Sequence, residues 1–353
     1  MRILHTADIH LREYDDGRWK TLQRLIEIGK EEKIEIFVVS GDLFDRRIDA
    51  ETLRPKIREV FSNNGFKIIL IPGNHDSDSY ESGMYFGDDA IILKDLNEPF
   101  EYKDLKIWGL PFESIEGDKI LNKLHSLAKK LVNNNRNILL YHGDLLDALF
   151  SSKDCGEEGE GRYMPVKLSY FKDLNVSYVL AGHFHSKFDV RRLENGGYFV
   201  YPGSPISITK REIGRRKVNI FEVGTPPNEF PIDTPHYEEV VIEFDPFIEK
   251  NPEEVVKEYL ERLHPMASII LTIKGYINRE KAKIDESELV KKIKEIIKGK
   301  SEDPNLEFRD IHTILEDDLF KNFMRKLEKN DYEEEKKKQL RETAIMAMIK
   351  ARS

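Results

Sequence analysis

The run Ile36-Phe37-Val38-Val39-Ser40-Gly41-Asp42 sets a pattern that the rest of the chain repeats. Its β-branched and aromatic residues read as one short buried strand, Ile36–Val39. The Gly-Asp pair that follows gives a sharp exit and delivers a carboxylate at the strand's carboxyl end. Ile3–Thr6 leads in the same way to Asp8-Ile9-His10, and Lys67–Ile71 to Gly73-Asn74-His75-Asp76. Ile138–Tyr141 leads to His142-Gly143, and Val176–Leu180 to Gly182-His183-Phe184-His185. Lys106–Trp108 is a further candidate strand. Amphipathic stretches at Trp19–Glu31, Glu51–Asn63 and Lys119–Asn133 fit helices between strands. Alternation of this kind implies an α/β sheet with crossover helices. In such a sheet the loops beyond the carboxyl ends converge on one edge, where ligands bind. Residues two apart, such as Asp8 and His10 or His183 and His185, are expected to point the same way from extended backbone.

The collected side chains are imidazoles, carboxylates and one amide, with no thiolate. That set suits manganese, iron or zinc better than copper or an iron–sulfur cluster. Seven candidate ligands exceed what one catalytic ion with open positions uses, and they fit two ions sharing a carboxylate. Asp42 is the expected bridge. Asp8, His10 and His185 are assigned to one ion, and Asn74, His142 and His183 to the other. His75 is left over as a general acid for a leaving oxygen. His5, inside the first strand, reads as a packed residue rather than a ligand, and Asp76 and Asp144 read as orienting groups or turn residues.

A chain of 353 residues exceeds one small core, so two or more domains are expected. Hydrophobic residues make up 39%, which argues against wholesale disorder, and no apolar run is long enough for a membrane span. Cys155 is the single cysteine, so no internal disulfide is possible, and the start lacks the pattern of a secretory signal; both fit a reducing cytoplasm. The net charge of -9 argues against nucleic-acid binding through the overall field, though not through a local basic face. Eight basic residues cluster between Ser186 and Lys217, Arg216 and Lys217 among them; Lys187, Arg191, Arg192, Lys210, Arg211 and Arg215 are candidates for phosphate contacts, and a solvated loop and hairpin is the competing reading. Short strands at Tyr198–Val200 and Lys217–Glu222 accompany them.

The reading divides the chain into a catalytic region 1–224, a proline-rich linker 225–237, a small α+β unit 238–312 and a helical tail 313–353. The α+β unit comprises strands Val240–Phe244, Ser268–Tyr276 and Leu306–Arg309 and helices Pro252–Leu263 and Glu286–Lys298, the first helix capped by Asn251. In the tail, Leu315, Leu319, Phe323 and Leu327 recur every four residues, and Leu340, Ala344, Met348 and Ile349 form a second stripe. On pattern alone Leu319, Phe323, Leu327, Leu340 and Met348 either dock a partner or belong to stripes that pack back onto the α+β unit.

The ordered motifs resemble the calcineurin-like metallophosphoesterase superfamily over roughly residues 1–224. That resemblance implies a two-sheet sandwich flanked by helices. Within it, Ile3–Leu11, Gly41-Asp42-Leu43-Phe44-Asp45-Arg46 and Tyr201-Pro202-Gly203-Ser204-Pro205 are similar to the SbcD nuclease family, the prokaryotic relatives of the eukaryotic double-strand-break repair nuclease. The likeness implies a manganese-dependent DNA nuclease with two Mn(2+) per chain, exonuclease action on duplex ends and endonuclease action on single strands or hairpins. It further implies a capping domain, a homodimer formed through the catalytic domain, and C-terminal helices that dock on an SMC-like ABC ATPase of the SbcC type. Asp45 departs from the branch of that family with a second active-site histidine at this place. The main rival is a small-molecule phosphodiesterase acting on a nucleotide or cyclic nucleotide. An assembly subunit with a degenerate site is a third reading, against which the full ligand set argues.

Overall fold

Side chains on successive strand positions face opposite ways, and in the first part of the chain both faces are apolar. The computed structural model describes residues 1–81, 83–131, 136–147, 163–248 and 250–352. Cys155 and the acidic stretch Glu157–Gly161 lie outside the described residues. One sheet contains β1 (Arg2–Thr6), β2 (Ile36–Ser40), β3 (Lys67–Ile71), β4 (Ala90–Ile92), β11 (Lys217–Glu222) and β12 (Glu229–Pro231), in the order β12-β11-β1-β2-β3-β4. The second contains β5 (Phe100–Tyr102), β6 (Leu105–Leu110), β7 (Arg136–His142), β8 (Tyr178–Gly182), β9 (Asp189–Arg192) and β10 (Tyr198–Tyr201), in the order β5-β6-β7-β8-β10-β9. Strands β1 to β4 run parallel, as do β6, β7, β8 and β10, with antiparallel strands at the margins.

Ile36, Val38, Ile69 and Ile71 meet Ile107, Ile138, Leu140 and Leu180 in a layer between the sheets. The alternate residues face helices. Phe37, Val39, Ile68 and Leu70 pack on Leu22 and Leu25 of α1 (Gly17–Glu31) and on Leu53 and Ile57 of α2 (Arg47–Val60). Leu139, Tyr141 and Val179 pack on Ile120, Leu124 and Leu127 of α3 (Asp118–Ala128). The result is the helix–sheet–sheet–helix sandwich the sequence leads one to expect. Burying each such Ile or Leu contributes roughly 1.5–3 kcal/mol. This doubly packed core fixes the height of every strand end relative to its neighbours. Strands β4, β5, β9 and β12 carry too few residues for an alternation to show in the sequence.

The chain divides into two compact units, Met1–Glu238 and Glu239–Ser353. The proline-rich segment is not a free linker. Glu229–Pro231 pairs antiparallel with β11, Ile232 is buried, and Thr234 donates its hydroxyl to the Pro205 carbonyl at 2.6 Å. Prolines are tolerated there because β12 lies at the sheet edge.

In the second unit, β13 (His236–Phe244, entering from the first unit), β14 (Ala267–Ile277) and β15 (Asn305–Asp310) form a sheet in that order. Val256 of α4 (Pro252–Glu261) and Leu289 and Ile293 of α6 (Glu286–Ile296) cover it, and a short α5 (Arg279–Ala282) intervenes. The Asn251 side chain caps α4 by accepting from the Glu253 N–H at 2.9 Å. The tail is α7 (His312–Leu315), α8 (Asp318–Glu328) and α9 (Glu334–Arg352), folded into this same unit rather than apart from it. Its stripe is largely consumed internally. Phe323 and Met348 pack on a core of Ile311, Ile314, Phe320 and Ile345 with Phe247 and Tyr276, and Leu327 is buried. Leu340 is half-buried, and Leu319 alone of the expected docking residues is open, at 70% exposure. The four-residue row misses Phe320 because the inward face follows mixed three- and four-residue steps.

Candidate metal centre

All five sequence motifs lie at the carboxyl ends of parallel strands, three from the first sheet (β1, β2, β3) and two from the second (β7, β8). The exits of β1 and β2 run side by side. Asp8 N–H donates to the Gly41 carbonyl at 3.1 Å, His10 N–H to Asp42 at 3.0 Å, and Asp45 N–H returns to Leu11 at 3.1 Å. Asp8 and His10 are not extended, contrary to the sequence expectation. Their φ values are 56° and 50°, and Asp42 and His183 are left-handed too, at 51° and 98°. Non-glycine residues held there cost roughly 1–3 kcal/mol each, and such strain gathers where a site dictates side-chain direction. Glycine opens room at two contacts. A Cβ on Gly41 would stand 2.0 Å from His142 Nδ1, and one on Gly73 would stand 2.1 Å from Asp42 Oδ1.

Imidazole nitrogens and side-chain oxygens converge in this pocket. His142 Nδ1 lies 2.8 Å from the Ser40 carbonyl, which can only accept, so Nδ1 carries a proton. His142 Nε2 then faces Asn74 Oδ1 at 2.9 Å and Asp42 Oδ2 at 3.3 Å, and Asn74 Oδ1 also meets His183 Nδ1 at 3.1 Å. On the other side, His10 Nε2 stands 3.3 Å from His185 Nε2, and His185 Nε2 stands 3.8 Å from Asp8 Oδ1. Asp42 Oδ2 is buried with no hydrogen bond, and it lies between the two groups, 3.7 Å from His10 Nε2. Asp8, His10 and His185 can together hold one cation, and Asp42, His142 and His183 another. The unsatisfied Asp42 oxygen and the imidazole-rich donor set fit two divalent ions.

The electrostatics show the same demand for positive charge. Burial opposes a proton on His142, yet Asp42 and then Asp8 raise its pKa to about 10. Burial likewise opposes ionisation of Asp42, and His142 and His10 hold its carboxyl far below the usual range. Burial dominates at His10 and pushes its pKa down, against Asp45 and Asp42.

Behind these side chains stands a ring of carboxylates. Asp45 Oδ1 lies 3.3 Å from His10 Nδ1 and accepts from Arg18 at 3.4 Å, while Oδ2 accepts from Arg12 at 2.8 Å. Asp144 Oδ1 lies 3.6 Å from His183 Nε2, and Glu212 Oε1 lies 3.5 Å from His185 Nδ1. Asp76 staples two motifs together. It accepts from Gly73 N–H at 2.7 Å, Phe44 N–H at 3.2 Å and the Tyr80 hydroxyl at 2.8 Å. Burial and the Asp42 charge raise the Asp76 pKa to about 7. His75 sits half-buried at the rim, its ring 4.7 Å from that of His10. Its N–H donates to Asp42 Oδ1 at 3.0 Å, and Nδ1 gives its proton to the Asp45 carbonyl at 3.1 Å.

Residues 1–187 match the calcineurin-like phosphoesterase family, a stretch that contains every candidate ligand. The chain belongs to that family. Its members are hydrolases that bind two divalent metals, and this phosphoesterase carries the candidate residues for both. It is 23% identical over 234 residues to the "DNA double-strand break repair protein Mre11" of Saccharolobus solfataricus, and 27% identical over 228 residues to the protein of that description from Sulfurisphaera tokodaii. Each alignment covers 60% of this chain and 56% of the relative, so the phosphoesterase spans just over half the length of these relatives. Among solved structures, a dimetal phosphatase from Danio rerio is 12% identical, with a TM-score of 0.44, covering 62% of this chain and 91% of that one.

The basic residues of the phosphoesterase differ in exposure and in what they engage. Lys187 is exposed two positions after His185, and exposed Lys210 and Arg211 precede Glu212. Arg191 and Arg192 lie on edge strand β9, where Arg192 pairs with Tyr198 at the end of β10 away from the site. Arg215 is engaged with Asp233. Arg216 is buried and donates to the carbonyls of Ser204 and Ser186 at 2.9 and 3.1 Å, and to that of His185. Its place in a basic run concealed this internal role. Glu212 carries no signal of its own in the sequence, because nothing in its spacing links it to His185.

Proposed function

We propose that this phosphoesterase is a manganese-dependent DNA nuclease that hydrolyses phosphodiester bonds, with exonuclease action on duplex ends and endonuclease action on single strands or hairpins. The observation that carries the hydrolytic part is Asp42 Oδ2, buried, unbonded and poised between two imidazole-rich clusters. Asp8, His10 and His185 would hold one ion, Asn74, His142 and His183 the other, with Asp42 shared. Two such ions would supply neutralisation of the phosphate's charge and a water acidic enough to attack near neutral pH. The ring of carboxylates and the Ser40 carbonyl orient the four imidazoles. His75 gives a proton to the leaving oxygen. With Nδ1–H committed to the Asp45 carbonyl, Nε2 is the nitrogen that exchanges it.

The similarity to the two Mre11 proteins supports DNA as the substrate. Lys187, Lys210 and Arg211, beside the residues that hold and back His185, would then contact the phosphate backbone. Within the same reading the chain works as a homodimer with an SMC-like ABC ATPase. That partner would meet the apolar surface the tail leaves open, Leu319 and Met346.

A nuclease assay on end-labelled duplex, hairpin and single-stranded DNA tests this, with manganese, magnesium or chelator and beside Asp42→Ala and His75→Ala. Manganese-dependent cleavage lost in both variants supports the proposal. No DNA cleavage, alongside hydrolysis of a small phosphodiester such as a cyclic nucleotide, overturns it.

A further inference from the structure

We propose that Glu212 is a positioning residue for His185: its buried carboxylate fixes the imidazole tautomer that presents the Nε2 lone pair to Asp8 and His10. This rests on the two-ion reading above. Glu212 is fully buried, and the first task of its carboxylate is local. Oε2 accepts from Ile208 N–H at 2.7 Å and from the Ser204 hydroxyl at 2.9 Å, while Oε1 accepts from Thr209 N–H at 3.3 Å and the Thr209 hydroxyl at 3.2 Å. Any acceptor of that shape would anchor the 204–209 loop. Oε1 also faces His185 Nδ1 at 3.5 Å, and that nitrogen is buried with no hydrogen-bond partner.

A carboxylate oxygen opposite an imidazole nitrogen is satisfied only if that nitrogen bears hydrogen. The hydrogen on Nδ1 leaves the lone pair on Nε2, the atom 3.3 Å from His10 Nε2 and 3.8 Å from Asp8 Oδ1. Arg216 reinforces the arrangement by binding the His185 and Ser204 carbonyls, which fixes the backbone on both sides of the contact. Partners of this kind behind a metal-binding histidine typically change metal affinity 10- to 100-fold.

Glu212→Gln separates the loop role from the tautomer role. The Ile208 N–H needs an oxygen, so the amide oxygen takes the Oε2 place and the amide NH₂ takes the Oε1 place, opposite His185 Nδ1. The loop keeps its shortest bond while His185 is driven to the opposite tautomer. Thr209→Val is the complement, since it removes a loop hydrogen bond and leaves the carboxylate in front of His185.

The test is a calorimetric manganese titration of the full chain and both variants, with ring-¹⁵N NMR of the metal-free proteins at alkaline pH. The expected result is two ions for the wild type and for Thr209→Val, and for Glu212→Gln one unchanged site and one weakened 10- to 100-fold. His185 should carry hydrogen on Nδ1 in the wild type and on Nε2 in Glu212→Gln. A Glu212→Gln chain that titrates like the wild type, or equal weakening of both sites in both variants, overturns the proposal. If the wild type binds no manganese, the two-ion reading fails by itself. The NMR arm still decides on Glu212, because an unchanged tautomer overturns its role.

Discussion

Removing divalent metal should make the catalytic unit lose stability as pH rises from 7 to 9, and restoring the metal should abolish that loss. Without metal, the proton on His142 supplies the positive charge among Asp42, Asn74 and His142. Burial opposes that proton, but Asp42 and Asp8 raise the His142 pKa from 6.5 to about 10. A histidine raised on folding contributes stability that is whole below about 6.5 and disappears as pH climbs through the folded value. Each pH unit in that window removes about 1.4 kcal/mol, so the part of the loss from pH 7 to 9 that runs through His142 has a ceiling of about 3 kcal/mol. His185, also raised despite its burial, acts in the same direction. The depressed carboxyls of Asp42, Asp45 and Glu212 carry the opposite sign, but they have finished titrating well below pH 7. A bound ion replaces the proton, and with it the slope. The assay is urea unfolding followed by tryptophan fluorescence, since Trp19 and Trp108 both lie in the catalytic unit. It would be run in chelator and in manganese, beside Asp42→Asn, which should flatten the chelator slope. A flat profile for the metal-free wild type, or an unchanged slope in Asp42→Asn, would refute the reasoning.

Asp76→Ala strands three buried donors, each worth about 1–3 kcal/mol, so thermal unfolding should show a destabilisation of roughly 3–9 kcal/mol with loss of activity, and Asp76→Asn a smaller one. Gly41→Ala places a Cβ against His142 and should abolish manganese binding, read by calorimetry, even if the chain still folds. His75→Ala should lower the hydrolysis rate on the order of 10²- to 10⁴-fold while leaving two manganese ions bound. Leu319→Asp should leave the melting temperature unchanged yet weaken co-elution with the ATPase, whereas Phe320→Ala should cost about 3–5 kcal/mol of stability.

The strands of this chain were legible because both their faces are buried, so Ile36–Val39 and Lys67–Ile71 read as continuous apolar runs. The candidate ligands were legible because each stands one to four residues beyond such a strand, or ends it. What pattern could not supply was the backbone that aims them. Asp8 and His10 reach the same pocket through left-handed conformations enforced by the neighbouring β2 exit, a tertiary effect. Glu212 and Arg216 lie 27 and 31 residues beyond His185, and only the return of the chain into β11 beside β1 brings them behind it. The tail was legible only in part, for another reason. Periodicity identifies an apolar face without saying whether it meets a partner or its own domain, and Phe320 shows that it meets its own.

The central claim is two ions sharing Asp42. The most direct measurement is a crystal structure of the manganese-soaked chain phased on the manganese anomalous signal. The account predicts two peaks about 3.5–4 Å apart with Asp42 Oδ2 between them, Asp8, His10 and His185 around one and Asn74, His142 and His183 around the other. A single peak, or two peaks with Asp42 bound to neither, would contradict it.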